Sequence, residues 1–490
     1  MKNLLLIFLL CYSFGNLQAQ SEKEKTEATV KKNTIEGHIY FLADDLLKGR
    51  ETGSPENKIA ASYLANTFRS YGIKPNPKTG DYYQEVPLVK TTPPNFSLSI
   101  SGVSQANTVV ISAAKIDYNK EAIYLGYGLE EDYKGKNVEG KLIIITAGKE
   151  GSTDARSAFG LRDQKMELAK KAGALGIIEF LDAPARMWGY IEGSFNGEKL
   201  DLAKDDTTQS DFAYLWVQDE NGMQSKDLES NQLIKVNLIS GEKKSQEVLS
   251  QNVVGIIEGT DPKLKNEYII YSAHYDHIGI GQPDKDGDSI YNGARDNAIG
   301  VTTVLSMAEN IAKYPTKRSA LFILFTGEEK GLLGSSYYVE HPILPLNQMV
   351  YCFNSDGGGY NDKTLATIIG LDRTTAGQHI KDATNTYGLK AIGDPVPEEG
   401  LFDRSDNVLF AAKGIPAPTF SPGFTGFTGD VDKYYHQAAD EADSLDYEYL
   451  QTFFRSYVLA GRLIADDAVT PFWVAGDKYE PAGKALYSKE

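Results

Sequence analysis

The sequence predicts an α/β protein, a mixed and mostly parallel sheet covered by helices and interrupted by an inserted segment. Three features carry that prediction. From Val253 onward, short apolar runs alternate with stretches of helical periodicity, the pattern of strands and covering helices in an α/β sheet. Several of those runs stop abruptly at His, Asp or Glu, as expected where strands open onto a site at their carboxyl ends. From about Ile116 to Glu247 the texture changes, with segments rich in Gly, Asp and Lys that have strand and helix patterns of their own.

At the N-terminus, Lys2, the apolar run Leu4 to Leu10 and Leu17-Gln18-Ala19 form a secretory signal. Residues 1–19 are therefore predicted to be removed near Ala19 and the protein exported, to a periplasmic or extracellular place. The apolar run falls far short of the roughly 20 residues that a span needs, and no transmembrane segment is predicted. Cys11 follows Leu9 and Leu10, where a lipoprotein signal wants small residues, which disfavours a lipid anchor. Removal of the signal leaves Cys352 alone, without a disulfide partner and inside an apolar run. Residues 20–32 are polar and charged and predict a mobile leader.

Ile59, Ala60, Tyr63, Leu64 and Phe68 fall at helical spacing and predict a helix from Glu56 to Tyr71. In the insert, Lys141–Thr146 and Ile177–Phe180 read as strands, with a helix from Arg162 to Ala172 between them. Beyond it, strands are predicted at Tyr268–Ala273, Ala320–Thr326, Met349–Phe353 and Leu365–Ile369. Helices are predicted at Gly300–Ala312, Gly331–Glu340, Thr374–Tyr387 and Tyr447–Ala465. The domain reading is thus a split catalytic part, 33–115 and 248–490, around an insert at 116–247. The 490 residues suffice for both, and a net charge of −17 argues against nucleic-acid partners.

The chemistry-bearing residues cluster at the predicted strand ends. His274 and Asp276 end one strand, Asp296 precedes a helix, Glu328 and Glu329 end the next strand, Asp356 ends another, and His436 lies late in the chain. Singly, each has an ordinary structural explanation. Their recurrence at one edge of one sheet is what points to metal, because imidazole nitrogen and carboxylate oxygen suit zinc. Two such ions sharing a carboxylate would activate water for hydrolysis, and adjacent glutamates allow one to bind metal and the other to move a proton. His277 reads as a residue that supports a ligand from behind or as a surface residue, and His38, His341 and His379 have no ligand-like context. Arg404 is ambiguous between gripping a substrate carboxylate and pairing with Asp403 or Asp406. Neither Gly-x-Ser-x-Gly nor His-Glu-x-x-His occurs, so serine-hydrolase and thermolysin-like sites lack support.

His274-Tyr-Asp276, Asn292-Gly-Ala-Arg-Asp296-Asn, Thr326-Gly-Glu-Glu329, Asn354-Ser-Asp356 and Tyr435-His436 resemble, in order, the metal-site motifs of the M28 family of di-zinc aminopeptidases. Gly49-Arg-Glu-Thr-Gly53 and Arg404-Ser-Asp406 resemble further motifs of that family, and the insert resembles its protease-associated (PA) domain. The resemblance implies a zinc-exopeptidase-like fold with an inserted α+β or β-rich PA domain, two Zn²⁺ per chain, and peptide or protein N-termini as substrate. It implies that Asp296 bridges the ions, that His274 and Asp356 complete one site, and that Glu329 and His436 complete the other. Glu328 would be the general base, Asp276 would accept the second ring N–H of His274, and Tyr435 would hold the oxyanion. Two positions depart from the family pattern: Asp356 is followed by Gly357-Gly-Gly359 and Asp406 by Asn407. The same scaffold also supports carboxypeptidase, dipeptidase and glutaminyl-cyclase chemistry, and a non-catalytic binding module would be expected to have lost some of these residues. Oligomeric state is not predicted.

Overall fold

The computed structural model describes residues 20–203, 211–230 and 232–488. The predicted signal, 1–19, lies outside the described residues. The chain divides into two units, Met1–Val86 with Leu249–Glu490, and Pro87–Val248.

The strands that build the first unit's main sheet include β1 (Lys244–Ile257), β2 (Tyr268–His274), β3 (Ser319–Phe325), β4 (Met349–Ser355), β5 (Leu365–Ile369), β6 (Lys390–Ile392) and β7 (Thr419–Pro422). They lie in the order β6-β5-β7-β4-β2-β3-β1. The centre is parallel: β2 pairs with β3 and with β4, and β4 with β7. β1 on β3 and β5 on β7 are antiparallel, so the sheet is mixed as the sequence predicts. Successive side chains on a strand point to opposite faces, and both faces of this sheet are covered. Ile269, Tyr271 and Ala273 pack with Val301, Val304 and Leu305 of one layer, whereas Ile270 packs with Tyr338, Phe410 and Trp473 of the other.

The covering helices include α1 (Glu22–Thr29), α2 (Lys32–Leu42), α3 (Pro55–Ser70), α4 (Ile299–Lys313), α5 (Leu333–Glu340), α6 (Gly377–Thr386) and α7 (Tyr447–Asp466). α3 starts where its sequence says it should: the Ser54 hydroxyl caps the Asn57 N–H and Pro55 occupies the first turn. Its buried stripe is Asn57, Ala60, Ala61, Leu64, Ala65 and Phe68. Ile59, expected on that stripe, is exposed. The larger correction is α1. The polar leader is an ordered helix with a Ser21–Glu24 capping box. Composition misleads here because the partners are polar too. Buried Arg462 pairs with Glu22, and Asn310 donates to the Lys25 carbonyl (2.9 Å) and the Thr29 hydroxyl (2.8 Å). Cys352 is buried and free. Among the described residues no helix is long and apolar enough to cross a membrane.

The second unit has its own sheet. Parallel strands Leu142–Thr146, Gly176–Leu181 and Ala213–Gln218 form its middle, with helices at Ala155–Lys171 and Ala185–Asn196. Residues 96–112, assigned by sequence to the catalytic part, belong here instead: Phe96–Ile100 pairs along Leu233–Ser240, and Thr108–Ser112 pairs along Ala213–Gln218. That pairing joins segments more than a hundred residues apart and leaves no local trace in either. At the centre of this unit a fully buried Lys165 ammonium meets Glu179 at 2.6 Å. The same carboxylate accepts from the Tyr214 hydroxyl (2.5 Å) and the Trp216 indole (2.6 Å). Replacing Lys165 by Met would leave a buried carboxylate without its cation, a loss of about 3–5 kcal/mol. A denaturant titration of K165M should show an earlier transition for this unit, and an unchanged midpoint would contradict the account.

Candidate metal centre

β2, β3 and β4 run parallel and in register, with His274 beside Phe325 and Ser272 beside Asn354. Their carboxyl ends therefore deliver His274, the Thr326-Gly-Glu328-Glu329 turn and Asp356 to one edge, where α/β sheets place their sites. Asp296 comes from the tight turn before α4. Close packing forces that turn: a Cβ on Gly300 would lie 2.3 Å from the Ser355 carbonyl oxygen. His436 comes from the loop after a short helix, Asp430–Tyr434, and adopts a left-handed backbone (φ 55°) that non-glycine residues rarely take.

The carboxylate of Asp296 stands in the middle. Its Oδ1 is 3.3 Å from His274 Nε2, and its Oδ2 is 3.2 Å from His436 Nε2. On the first side, His274 Nε2 is also 3.2 Å from Asp356 Oδ1 and 3.9 Å from Glu328 Oε2. On the second, His436 Nε2 is 3.3 Å from Glu329 Oε2. Two sets of donor atoms thus converge within ion-binding distance of one another, His274 with Glu328 and Asp356, and His277 with Asp296 and Glu329. Imidazole and carboxylate donors in these numbers fit zinc.

Charge follows the geometry. Burial disfavours the imidazolium of His274, yet the Asp356 and Glu328 carboxylates outweigh it and raise its pKa well above 6.5. For His436, burial again opposes, and hydrogen bonds to Asp296 and Glu329 lift it to about 10. Burial and neighbouring Asp296 push Glu329 up, but bonds from His277 and His436 bring it down to about 2. Glu328 goes the other way. Burial, opposed by His274 but reinforced by Asp356 and Asp406, holds it well above 4.5. Adjacent glutamates thus have opposite proton affinities, one set by two imidazole partners and the other by desolvation.

The chain is similar to known proteins over the segment that holds these residues. Residues 252–459 match the family model described as peptidase family M28. That segment is thus similar to M28 peptidases. It is 30% identical over 205 residues to aminopeptidase YwaD of Bacillus subtilis (strain 168), covering 41% of this chain and 42% of that protein. It is 25% identical over 348 residues to the probable leucine aminopeptidase 2 of Aspergillus oryzae, covering 65% of this chain and 61% of the relative. It therefore spans less than two thirds of the length of either. The solved structure of an aminopeptidase from Aneurinibacillus sp. strain AM-1 shares the fold, with TM-score 0.59 at 22% identity over 91% of this chain and 97% of that one.

The matched segment brings together His274, Asp296, Glu328, Glu329, Asp356 and His436, and Tyr435 and Arg404 line the same cavity of about 440 Å³. The Tyr435 ring stacks on His436 at 4.1 Å, and its hydroxyl lies 3.4 Å from Arg404 Nη2. The glycines after Asp356 make room for it, since a Cβ on Gly358 would lie 2.0 Å from the Tyr435 ring. Asp403 is taken by Lys478 at 3.0 Å, while the Arg404 guanidinium lies over the Phe427 ring at 5.8 Å.

Asp276 differs from expectation. His274 Nδ1 donates to the Asp276 backbone carbonyl at 3.2 Å and is 3.8 Å from its carboxylate. That carboxylate instead accepts the N–H groups of Glu328 (3.2 Å) and Glu329 (3.3 Å), because the tight turn aims both amides at it. His277 is the residue that sequence reasoning undervalued. It is fully buried, and its Nδ1 is 2.6 Å from Glu329 Oε1. Its place in the Glu329 donor set was legible only as proximity to His274.

A cation bound here must displace protons from His274 and His436. The stability that the His436 pair lends the metal-free protein is whole below about 6.5 and fades as pH rises toward about 10. Zinc binding at neutral pH should therefore release protons, and affinity should climb with pH across that window. Calorimetry in buffers of different ionisation enthalpy measures the release, and a buffer-independent heat would contradict the assignment.

Proposed function

We propose that the protein is an exported zinc-dependent aminopeptidase that uses two ions. The observation carrying this reading is the single Asp296 carboxylate with one oxygen toward each of two imidazole–carboxylate groups. In this reading Asp296 bridges, His274 and Asp356 hold one ion, and Glu329 and His436 hold the other, with His277 orienting Glu329. Zinc bound there supplies Lewis acidity toward the scissile carbonyl and lowers the pKa of water.

The protein's own groups do the rest. Glu328 is kept from ionising easily by burial, which suits a group that must take a proton from water and return it to the leaving amine. The low pKa of Glu329 leaves it anionic, as a ligand must be. Burial, aided by Asp296, raises the Tyr435 phenol, so its hydroxyl stays protonated and can donate to a developing oxyanion. Arg404 borders the cavity and offers its guanidinium to a substrate carbonyl or carboxylate. The second unit corresponds in this reading to a protease-associated domain, and peptide or protein N-termini are the substrates.

Glu328→Gln should keep wild-type zinc content and lose most turnover of aminoacyl-p-nitroanilides, and near-normal turnover would exclude it as the base. Tyr435→Phe should cost about 10²–10³ in kcat with little change in KM. Gly358→Ala should act in the same direction by displacing the Tyr435 ring. A panel of peptides with free and blocked ends tests the aminopeptidase assignment itself: cleavage that persists with blocked N-termini overturns it.

A further inference from the structure

The Gly49-Arg-Glu-Thr-Gly53 segment contributes no ligand, yet with Asn57 it reaches the loops that carry His274, Asp296 and the Glu328-Glu329 pair. Arg50 is buried to 1% exposure with φ +50°. Its guanidinium donates to the carbonyls of Tyr275 (2.8 Å), Asn292 (2.6 Å) and Gly293 (3.1 Å), and to that of Leu42. Tyr275 follows ligand His274, and Asn292-Gly293 begins the turn that carries Asp296. One planar fork therefore sets the separation of those two loops. The Thr52 hydroxyl donates to Asp276 Oδ2 at 2.8 Å, and Asp276 in turn holds the N–H groups of Glu328 and Glu329. Asn57 closes the figure. Its amide donates to the Arg50 carbonyl at 3.1 Å and accepts from Thr326 at 3.4 Å, just before the same turn. Gly49 has φ +69°, and a Cβ there would sit 2.4 Å from the Tyr291 carbonyl oxygen, so the segment is pressed against the site.

Charge supports the same conclusion. Burial lowers the Arg50 pKa to about 10, with Asp276 and Asp296 holding it up, so the side chain is cationic at neutral pH. It places a fixed positive charge behind a centre crowded with carboxylates.

We propose that Arg50, Thr52 and Asn57 form a brace that sets the spacing of the ligand loops and thereby the metal affinity. They are positioning residues that touch no reacting atom, and the proposal rests on the two-ion reading above. Loss of a group that orients metal ligands typically costs 10–100-fold in affinity.

The test is zinc affinity of the full-length mature protein by competition with a chromophoric chelator, together with the visible spectrum of the cobalt-substituted form and the melting temperature of the metal-free form. Thr52→Val, which removes only the donor to Asp276, should weaken zinc binding about tenfold and shift the cobalt bands. Thr52→Ser, which keeps the hydroxyl, should restore both. Arg50→Lys, which keeps the charge but not the fork, should weaken binding further. A purely structural segment would lower the melting temperature while leaving zinc affinity and cobalt bands of the folded protein at wild-type values, and that outcome overturns the brace. Failure of the wild-type protein to bind zinc would instead overturn the two-ion reading and the brace with it.

Discussion

Parallel pairing of β2 with β3 and β4 is the constraint on which the centre depends. Those strands are held by a ladder of hydrogen bonds and by apolar layers on both faces. Their carboxyl ends consequently stop at one level, and the residues just past each end are fixed before any side chain is chosen. Imidazole and carboxylate groups at that level cannot avoid one another. Desolvation makes each isolated charge costly there, so the metal-free protein favours close pairing of imidazolium with carboxylate, the pairing that a bound cation would replace.

The cluster is strongly acidic, and the structure offsets that charge with arginines that never reach the cavity wall as ligands. Arg50 lies behind the His274 and Asp296 loops. Arg295 pairs with Asp440 at 2.9 Å, and Asp440 also accepts the backbone N–H of Asp296 at 3.2 Å. Asp440 lies four residues beyond His436, so this Asp–Arg pair ties the late loop to the turn that carries Asp296. Each half of the centre thus has a buried cation and carboxylate joining loops distant in sequence. The guanidinium suits both places because it supplies several donors in one plane while keeping its charge.

Much of the candidate centre was legible because its His, Asp and Glu residues sit where periodic patterns break. An apolar alternation that stops at His274, or a strand run that stops at Glu328-Glu329, is visible in one dimension. The role of the Asp276 side chain was not legible, because its partners are backbone amides of a turn on another strand. His277 was left open between support of a ligand and a surface place, because three residues of separation at a strand end say nothing about burial. The leader helix was misread for a related reason: α1 is polar because Arg462 and Asn310 opposite it are polar, and composition registers only one side of such a contact.

Several of the strands and covering helices, the candidate ligand residues and the change of texture between about 116 and 247 were legible in sequence alone, since hydrophobic period and residue chemistry are local properties. Tertiary structure decided which oxygen of Asp296 faces which histidine, why adjacent glutamates have opposite proton affinities, and where the second unit begins. It also decided that an N-terminal Gly-Arg-Glu-Thr-Gly segment braces a site assembled from residues more than two hundred positions away. Those outcomes depend on pairing, burial and distance between segments remote in the chain, and such quantities exist only once the chain has folded.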